Sequence, residues 1–181
     1  MKIKHAKFGL AAKNIKVSDT DDGYMWSASF YLDGAKIGTA HDQGHGGEMN
    51  TRGIDKTAMA KIETYAASLP HDTTYGLDMA QSAEIVLEEN AMSTDSFNSV
   101  LKKTKAALRK KVMAKGNKEG IFRTWKIPTG MTAETKMTKL REQKIGETFE
   151  FLNELPPEDA MDFLYVVEPE PDFSKPFELV T

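Results

Sequence analysis

The chain predicts an α+β fold: an N-terminal antiparallel sheet, built as a β-hairpin or meander and packed by helices, then a smaller C-terminal strand–helix element. Three observations carry this reading. Asp33-Gly34 lies between two strand-like runs, and Asp-Gly is a two-residue hairpin turn that accepts positive φ. From residue 54 to residue 112, apolar residues recur at helical spacing, interrupted by Pro70. After residue 120, a β-rich run leads into shorter helical segments.

Each element follows in order. Residues 3–10 and 13–17 read as one or two strands, and Asp19, Asp21, Asp22 and Gly23 turn the chain back. Asp33-Gly34 then joins a strand over residues 24–32 to one over residues 35–41. A regular ladder across that turn sets Phe30 opposite Ile37, Ala28 opposite Thr39 and Trp26 opposite His41. Trp26, Ala28, Phe30 and Leu32 share one face with Ile37. Ile54, Ala58, Ile62, Tyr65, Ala66 and Leu69 form one helical stripe, which Pro70 ends. A second helix is expected over residues 77–91, with Ala80, Ala83, Val86 and Leu87 inward. Thr94 is expected to cap a third, whose apolar face holds Phe97, Val100, Leu101, Leu108 and Val112 until Asn117 and Gly120 break it.

Residues 121–127 read as a strand with Trp125 and Ile127 on one face. Thr132 caps a short helix through Lys144, and residues 147–152 form another strand. Leu155-Pro156-Pro157-Glu158 opens a last helix, expected to end near Val167, because proline and acids suit a first helical turn. The expected organisation is therefore sheet, glycine loop and helices over 1–92, a basic helix with strand–helix elements over 93–167, and an acidic, proline-containing tail over 168–181.

Composition narrows the function classes. The 181 residues include no cysteine, which excludes disulfides, thiolate zinc sites and a cysteine nucleophile. No secretory leader and no membrane-length apolar run is present, so a cytoplasmic protein without membrane contact is expected. The net charge of −3 conceals three blocks: −5 over residues 1–99, +11 over 100–144 and −9 over 145–181. Such blocks signal a nucleic-acid patch or an interaction tail, or else a basic helix neutralised by the acidic C-terminal part. The nucleic-acid candidates are Lys102, Lys103, Lys105, Arg109, Lys110, Lys111, Arg123 and Lys126.

The loop after the hairpin carries the other candidates. Gly44, Gly46 and Gly47 present successive backbone N–H groups ahead of a helix, as anion sites do. The lysine and hydroxyl of a P-loop are missing, so a tight backbone crossing that touches a partner through Gly44, His45, Gly46, Gly47 and Arg52 is the competing reading. His41, Asp42 and His45 supply nitrogen and oxygen donors of the kind that hold zinc or manganese, with Glu48 nearby; His41 also has a packing role beside Trp26. His5 and His71 read as lone surface residues, and Glu88-Glu89 as a solvated pair on a helix rim. No nucleophile elbow, kinase set or zincin motif occurs, and no cofactor is expected.

The series Tyr31-x-Asp33-Gly34-x-x-x-Gly38, followed by Gly44-x-Gly46-Gly47 and an alanine-rich helix, resembles small proteins of bacteriophages and mobile elements. The resemblance covers about a quarter of the chain. It implies an accessory protein that acts against a host defence system, and it assigns no catalytic residue. The same stretch is similar to the second half of a double-stranded-RNA-binding domain. That family uses a basic cluster at the helix start, where this chain has Arg52 and Lys56 as its cations. The expectation is a non-enzymatic protein that binds a host protein or complex. The alternatives are nucleic-acid binding through residues 102–126 and a metal-dependent hydrolase or anion binder at His41–Glu48.

Overall fold

The computed structural model describes residues 2–21, 23–45, 48–73, 78–116, 122–143 and 149–164. The fold is α+β. The chain forms two compact units, Lys2–Phe97 and a second that begins at Asn98, and each holds an antiparallel sheet.

In the first unit a 3-10 turn, Ala6–Phe8, precedes β1 (Leu10–Thr20). The strand expected over residues 3–10 is absent because His5 (φ 60°) and Gly9 (φ 87°) are left-handed, a conformation no strand sustains. β2 (Gly23–Leu32), β3 (Ala35–Asp42) and β4 (Asn50–Arg52) complete a sheet of order β1-β2-β3-β4, antiparallel throughout. Asp33 (φ 51°) and Gly34 (φ 83°) make the expected hairpin turn.

The register differs from the regular ladder. Leu32 pairs with Ala35 and Tyr31 with Lys36, but Phe30 then pairs with Gly38, leaving Ile37 as a bulge. Beyond it Ala28 faces Ala40 and Trp26 faces Asp42, so the expected pairs of Ala28 with Thr39 and Trp26 with His41 are not made. A bulge sets two residues against one and needs a backbone free to distort. Gly38 supplies it: φ is 154°, and a Cβ there would lie 2.5 Å from the Ile54 N and 2.7 Å from the Arg52 carbonyl oxygen. A second irregularity interrupts β1 between Lys13 and Lys16, where Asn14 has φ 53°.

Helices cover one face of this sheet. α1 (Lys56–Ala67) is capped by Asp55, whose carboxylate accepts the Ala58 N–H at 2.8 Å. It buries Ala58, Ile62 and Ala66 against Trp26, Ala28, Phe30, Leu32 and Ile37. α2 (Ala83–Lys110) adds Ala83, Val86, Leu87 and Ala91. It is one continuous helix where two were expected. Thr94 is not an N-cap: its hydroxyl donates to the Asn90 carbonyl at 2.6 Å, one turn back, inside the helix. Ala80, expected on the inner face of a helix, is exposed outside it, beside a bridge between Asp72 and Met79.

In the second unit α2 ends at Lys110, short of Asn117. Val112, expected on the helix face, belongs to β5 (Lys111–Gly116). Asn153 explains the stop. Its Nδ2 donates to the carbonyls of Leu108 and Lys111, each at 2.9 Å, and its Oδ1 accepts the Met113 N–H at 2.8 Å. One side chain thus satisfies the helix end and the strand start. β6 (Phe122–Lys126) and β7 (Phe149–Phe151) flank β5 in the order β6-β5-β7. α3 (Ala133–Glu142), capped by Thr132 as expected, packs Met137 and Leu140 onto Val112, Ala114 and Phe151, with Trp125 and Ile127 alongside. A 3-10 turn, Leu152–Glu154, leads to α4 (Pro157–Leu164), and Met113, Leu152 and Ala160 form a second cluster. Ile121, Lys144, Glu147, Val167 and the tail over 168–181 lie outside the described residues.

Three substitutions test this account. Gly38→Ala must displace backbone at Ile54, and should lower stability by about 2–3 kcal/mol in denaturant titration. Gly34→Ala, with open space around it, should cost about 1 kcal/mol for its positive φ alone. Asn153→Ala should cost about 2–3 kcal/mol, because three backbone groups lose their partner. Hydrogen exchange at Met113 is the local readout.

Candidate binding surface

The alternation that buries Trp26, Ala28 and Phe30 turns Ser27, Ser29 and Tyr31 to the opposite sheet face. Cross-strand pairing then builds rows. Lys16, Ser27, His41 and Asn50 stand side by side across the four strands. Lys13, Ser29, Thr39 and Arg52 form the next row, and Ala11, Tyr31 and Lys36 the one after. Lys13, Lys16, Lys36 and Arg52 are exposed. Among the described residues none of the four makes an ion pair. No Asp or Glu occupies these rows.

The face is concave at its centre. A depression of about 360 Å³ is lined by Asn14, Lys16, Ser27, Thr39, His41 and Arg52, among others. A neighbouring one of about 480 Å³ shares Lys16, Ser27 and His41 and extends to Met25, Asp42, Gln43 and His45, with Asp42 its one carboxylate residue. The Lys13 ammonium sits 4.4 Å from the centroid of the Tyr31 ring. Arg52 is bound into the face by its backbone, whose carbonyl accepts the Thr39 hydroxyl at 3.4 Å.

The glycine loop behaves as a crossing over the part that is described. The Gly44 N–H donates to the Asp42 carboxylate at 2.6 Å, and its carbonyl accepts the Thr20 hydroxyl at 3.3 Å. A Cβ on Gly44 would lie 2.8 Å from the Tyr24 carbonyl, so glycine lets the loop close on the β1–β2 end of the sheet. The Gly44 amide is therefore occupied by Asp42. Gly46 and Gly47 lie outside the described residues. His45 is exposed. His41 pairs with Ser27 on the open face, and not with Trp26, while Asp42 pairs with Trp26. Consecutive strand residues point to opposite faces, so His41 and Asp42 diverge. Among the described residues no group of three His, Asp or Glu is placed to hold a metal.

The basic candidates fall in the second unit. Lys102, Lys103, Lys105, Arg109 and Lys110 are exposed on α2, and Lys111 pairs across strands with Lys126. Arg123 stands opposite Ala114. Carboxylates from the acidic C-terminal part meet this block. Lys105 pairs with Glu158 at 3.9 Å and Lys115 with Glu150 at 2.6 Å, and Arg141 pairs with Glu154. Among the described residues no helix is long and apolar enough to cross a membrane.

Residues dismissed from the sequence also find partners. His5 is half-buried, its Nε2 2.8 Å from Glu89 and its Nδ1 3.2 Å from the Tyr65 hydroxyl, and Lys4 Nζ reaches Glu89 at 2.5 Å. His71 pairs with Asp78 at 2.8 Å. Glu88 accepts the Tyr24 hydroxyl at 2.6 Å, and that bond, with burial and the Glu88 and Asp42 charges, pushes Tyr24 up to about 12. Lys13, Lys16 and Lys36 were not singled out at all. The signal was there in the period-2 pattern of β2, which places Ser27, Ser29 and Tyr31 away from the core.

Comparison of the chain with protein-family models, curated proteins and solved structures finds no match.

Burial raises the Glu89 carboxyl, but the hydrogen bonds and charges of Lys4 and His5 outweigh it and hold the group below its usual 4.5. A depressed carboxyl stabilises the fold fully above its unfolded value, and the contribution is lost as pH falls through the folded one. Thermal unfolding should therefore show stability declining as pH drops below 4.5, with a shallower decline in Glu89→Gln.

Proposed function

We propose that this protein is a non-enzymatic binding protein that engages an anionic macromolecule through the open face of its N-terminal sheet. The observation that carries this is the pair of cross-strand rows, Lys16–Ser27–His41–Asn50 and Lys13–Ser29–Thr39–Arg52. A sheet face that serves stability alone mixes signs, because like charges close together repel. Here four of the nine cations of a sequence block whose net charge is −5 are gathered on one face. Such segregation raises the local concentration of an anionic partner and speeds its encounter.

The resemblance to phage and mobile-element proteins supplies a setting. The partner is then a host macromolecule, met in the host cytoplasm, and the outcome is inhibition of a host defence system. The ion pairs of Lys105, Lys115 and Arg141 make the C-terminal basic block the weaker candidate, since they lower its positive potential.

A titration with heparin, used as a generic polyanion and followed by NMR, tests the reading. Amide shifts should concentrate at Ser27, Ser29, Thr39, His41 and Arg52. Shifts confined to residues 102–126, or no shifts at low salt, would overturn it.

A further inference from the structure

We infer that the occupant of the open sheet face is a single-stranded nucleic acid held by its phosphates. This rests on the proposed reading of that face as an anion-binding surface and names its partner.

The shape of the face carries the inference. Lys13 and Lys16 stand on β1, and Arg52 on β4. Three strand spacings, about 14 Å, separate these edges. Between them the floor is made of Ser27, Ser29 and Thr39, short side chains that leave a depression of about 360 Å³. Cations on both walls and the Ser27 and Ser29 hydroxyls on the floor suit a phosphodiester chain, whose oxygens accept from both, while the Thr39 hydroxyl is held by the Arg52 carbonyl. Successive rows lie two residues apart, about 7 Å, so the positive charge continues along the strands. Tyr31 and the exposed Met25 lie toward opposite ends of this trough, and the Tyr31 ring is a π surface on which a base stacks.

Other occupants fit less well. A protein interface is anchored by aromatic or aliphatic side chains in dry pockets, and the floor here is hydroxylic. A peptide that extends the sheet would use the β1 or β4 edge and leave the face unused. A duplex is read by an element that projects into a groove, whereas α1 and the first part of α2 pack on the opposite side of this sheet.

Fluorescence anisotropy of the full chain with labelled oligo-dT and oligo-U, each of about 20 nucleotides, provides the test. Four contacts to a single strand predict a log–log salt slope near −2.8, or roughly a 50-fold loss of affinity between about 50 and 200 mM salt. Lys16→Ala with Arg52→Ala should halve that slope and weaken binding at least tenfold. Both side chains are exposed and outside any ion pair among the described residues, so an unchanged melting temperature is the folding control. Lys102→Ala with Lys110→Ala should leave binding intact.

Loss of binding in that second variant would overturn the proposal, as would tighter binding of a duplex of equal length. Equal binding of polyglutamate with the same Lys16/Arg52 dependence would point to an acidic protein and overturn it too. If neither oligonucleotide binds while heparin still shifts the face, the nucleic-acid inference fails and the anion-binding reading stands. If heparin fails as well, both fall.

Discussion

The first sheet depends on one irregularity: Ile37 and Gly38 together oppose Phe30. The hairpin turn sets the register only as far as Lys36. From there the bulge moves every residue of β3 to the other face. Ala40 takes the buried position opposite Ala28, 1% exposed, that a regular ladder gives to Thr39. An alanine fits beneath packed helices with no polar group to satisfy, whereas a threonine or histidine there would need a buried partner. The same shift delivers Thr39 and His41 to the open face, in line with Ser29 and Ser27. Core quality and surface chemistry are thus set by a single step in phase. Gly38 also touches the backbone of Arg52, Gly53 and Ile54, so it fixes where β4 ends and where Asp55 begins to cap α1.

Each unit relies on an asparagine to join elements distant in sequence. In the first, Asn90 is fully buried and its Nδ2 donates to the carbonyls of Lys4 at 2.7 Å and Leu10 at 3.3 Å. It holds the N-terminal segment onto α2, beside the Lys4–Glu89–His5 contacts. In the second, Asn153 bridges the end of α2 and the start of β5. A buried amide is costly unless its polar atoms are used, so each site favours the arrangement that uses them. Asn153 engages both its Nδ2 and its Oδ1, whereas Asn90 engages its Nδ2 and leaves its buried Oδ1 without a partner among the described residues. That makes the two residues specifiers of topology more than sources of net stability.

Much of the architecture was legible in the sequence because local rules governed it. Asp33-Gly34, the Thr132 cap, the Ala58–Ile62–Ala66 stripe and the proline-led start of α4 are each decided within a few residues. The errors fall where a competing partner decides, whether a turn away or distant in sequence. Thr94 has the chemistry of an N-cap, but its hydroxyl finds the Asn90 carbonyl and the helix runs on. Val112 continues the helical stripe, but Asn153, some 40 residues later, ends the helix first. The bulge at Gly38 is invisible to pattern reading, since the close approach that requires glycine there comes from the backbone of Arg52 to Ile54, some fifteen residues on. Of the candidate surface, Arg52 and His41 were singled out for other reasons, and Lys13, Lys16 and Lys36 were missed because cations spaced across three strands form no run in the sequence.

That last point bears on how charge should be weighed. The +11 block over residues 100–144 dominates a linear reading, and the four cations of the N-terminal face are lost in a block of −5. Folding changes their relative standing. Surface ion pairs such as Lys115–Glu150 add little stability, but each lowers the potential that a distant anion meets. Among the described residues Lys13, Lys16, Lys36 and Arg52 make no ion pair, and the rows that carry them hold serine, threonine, histidine and asparagine in place of carboxylates. What an incoming polyanion senses is the arrangement of unpaired charge within a Debye length, about 8 Å at physiological salt. On that scale rows about 7 Å apart act together, and the sheet, by pairing its strands in this register, makes an electrostatic site from residues that no window of the sequence brings together.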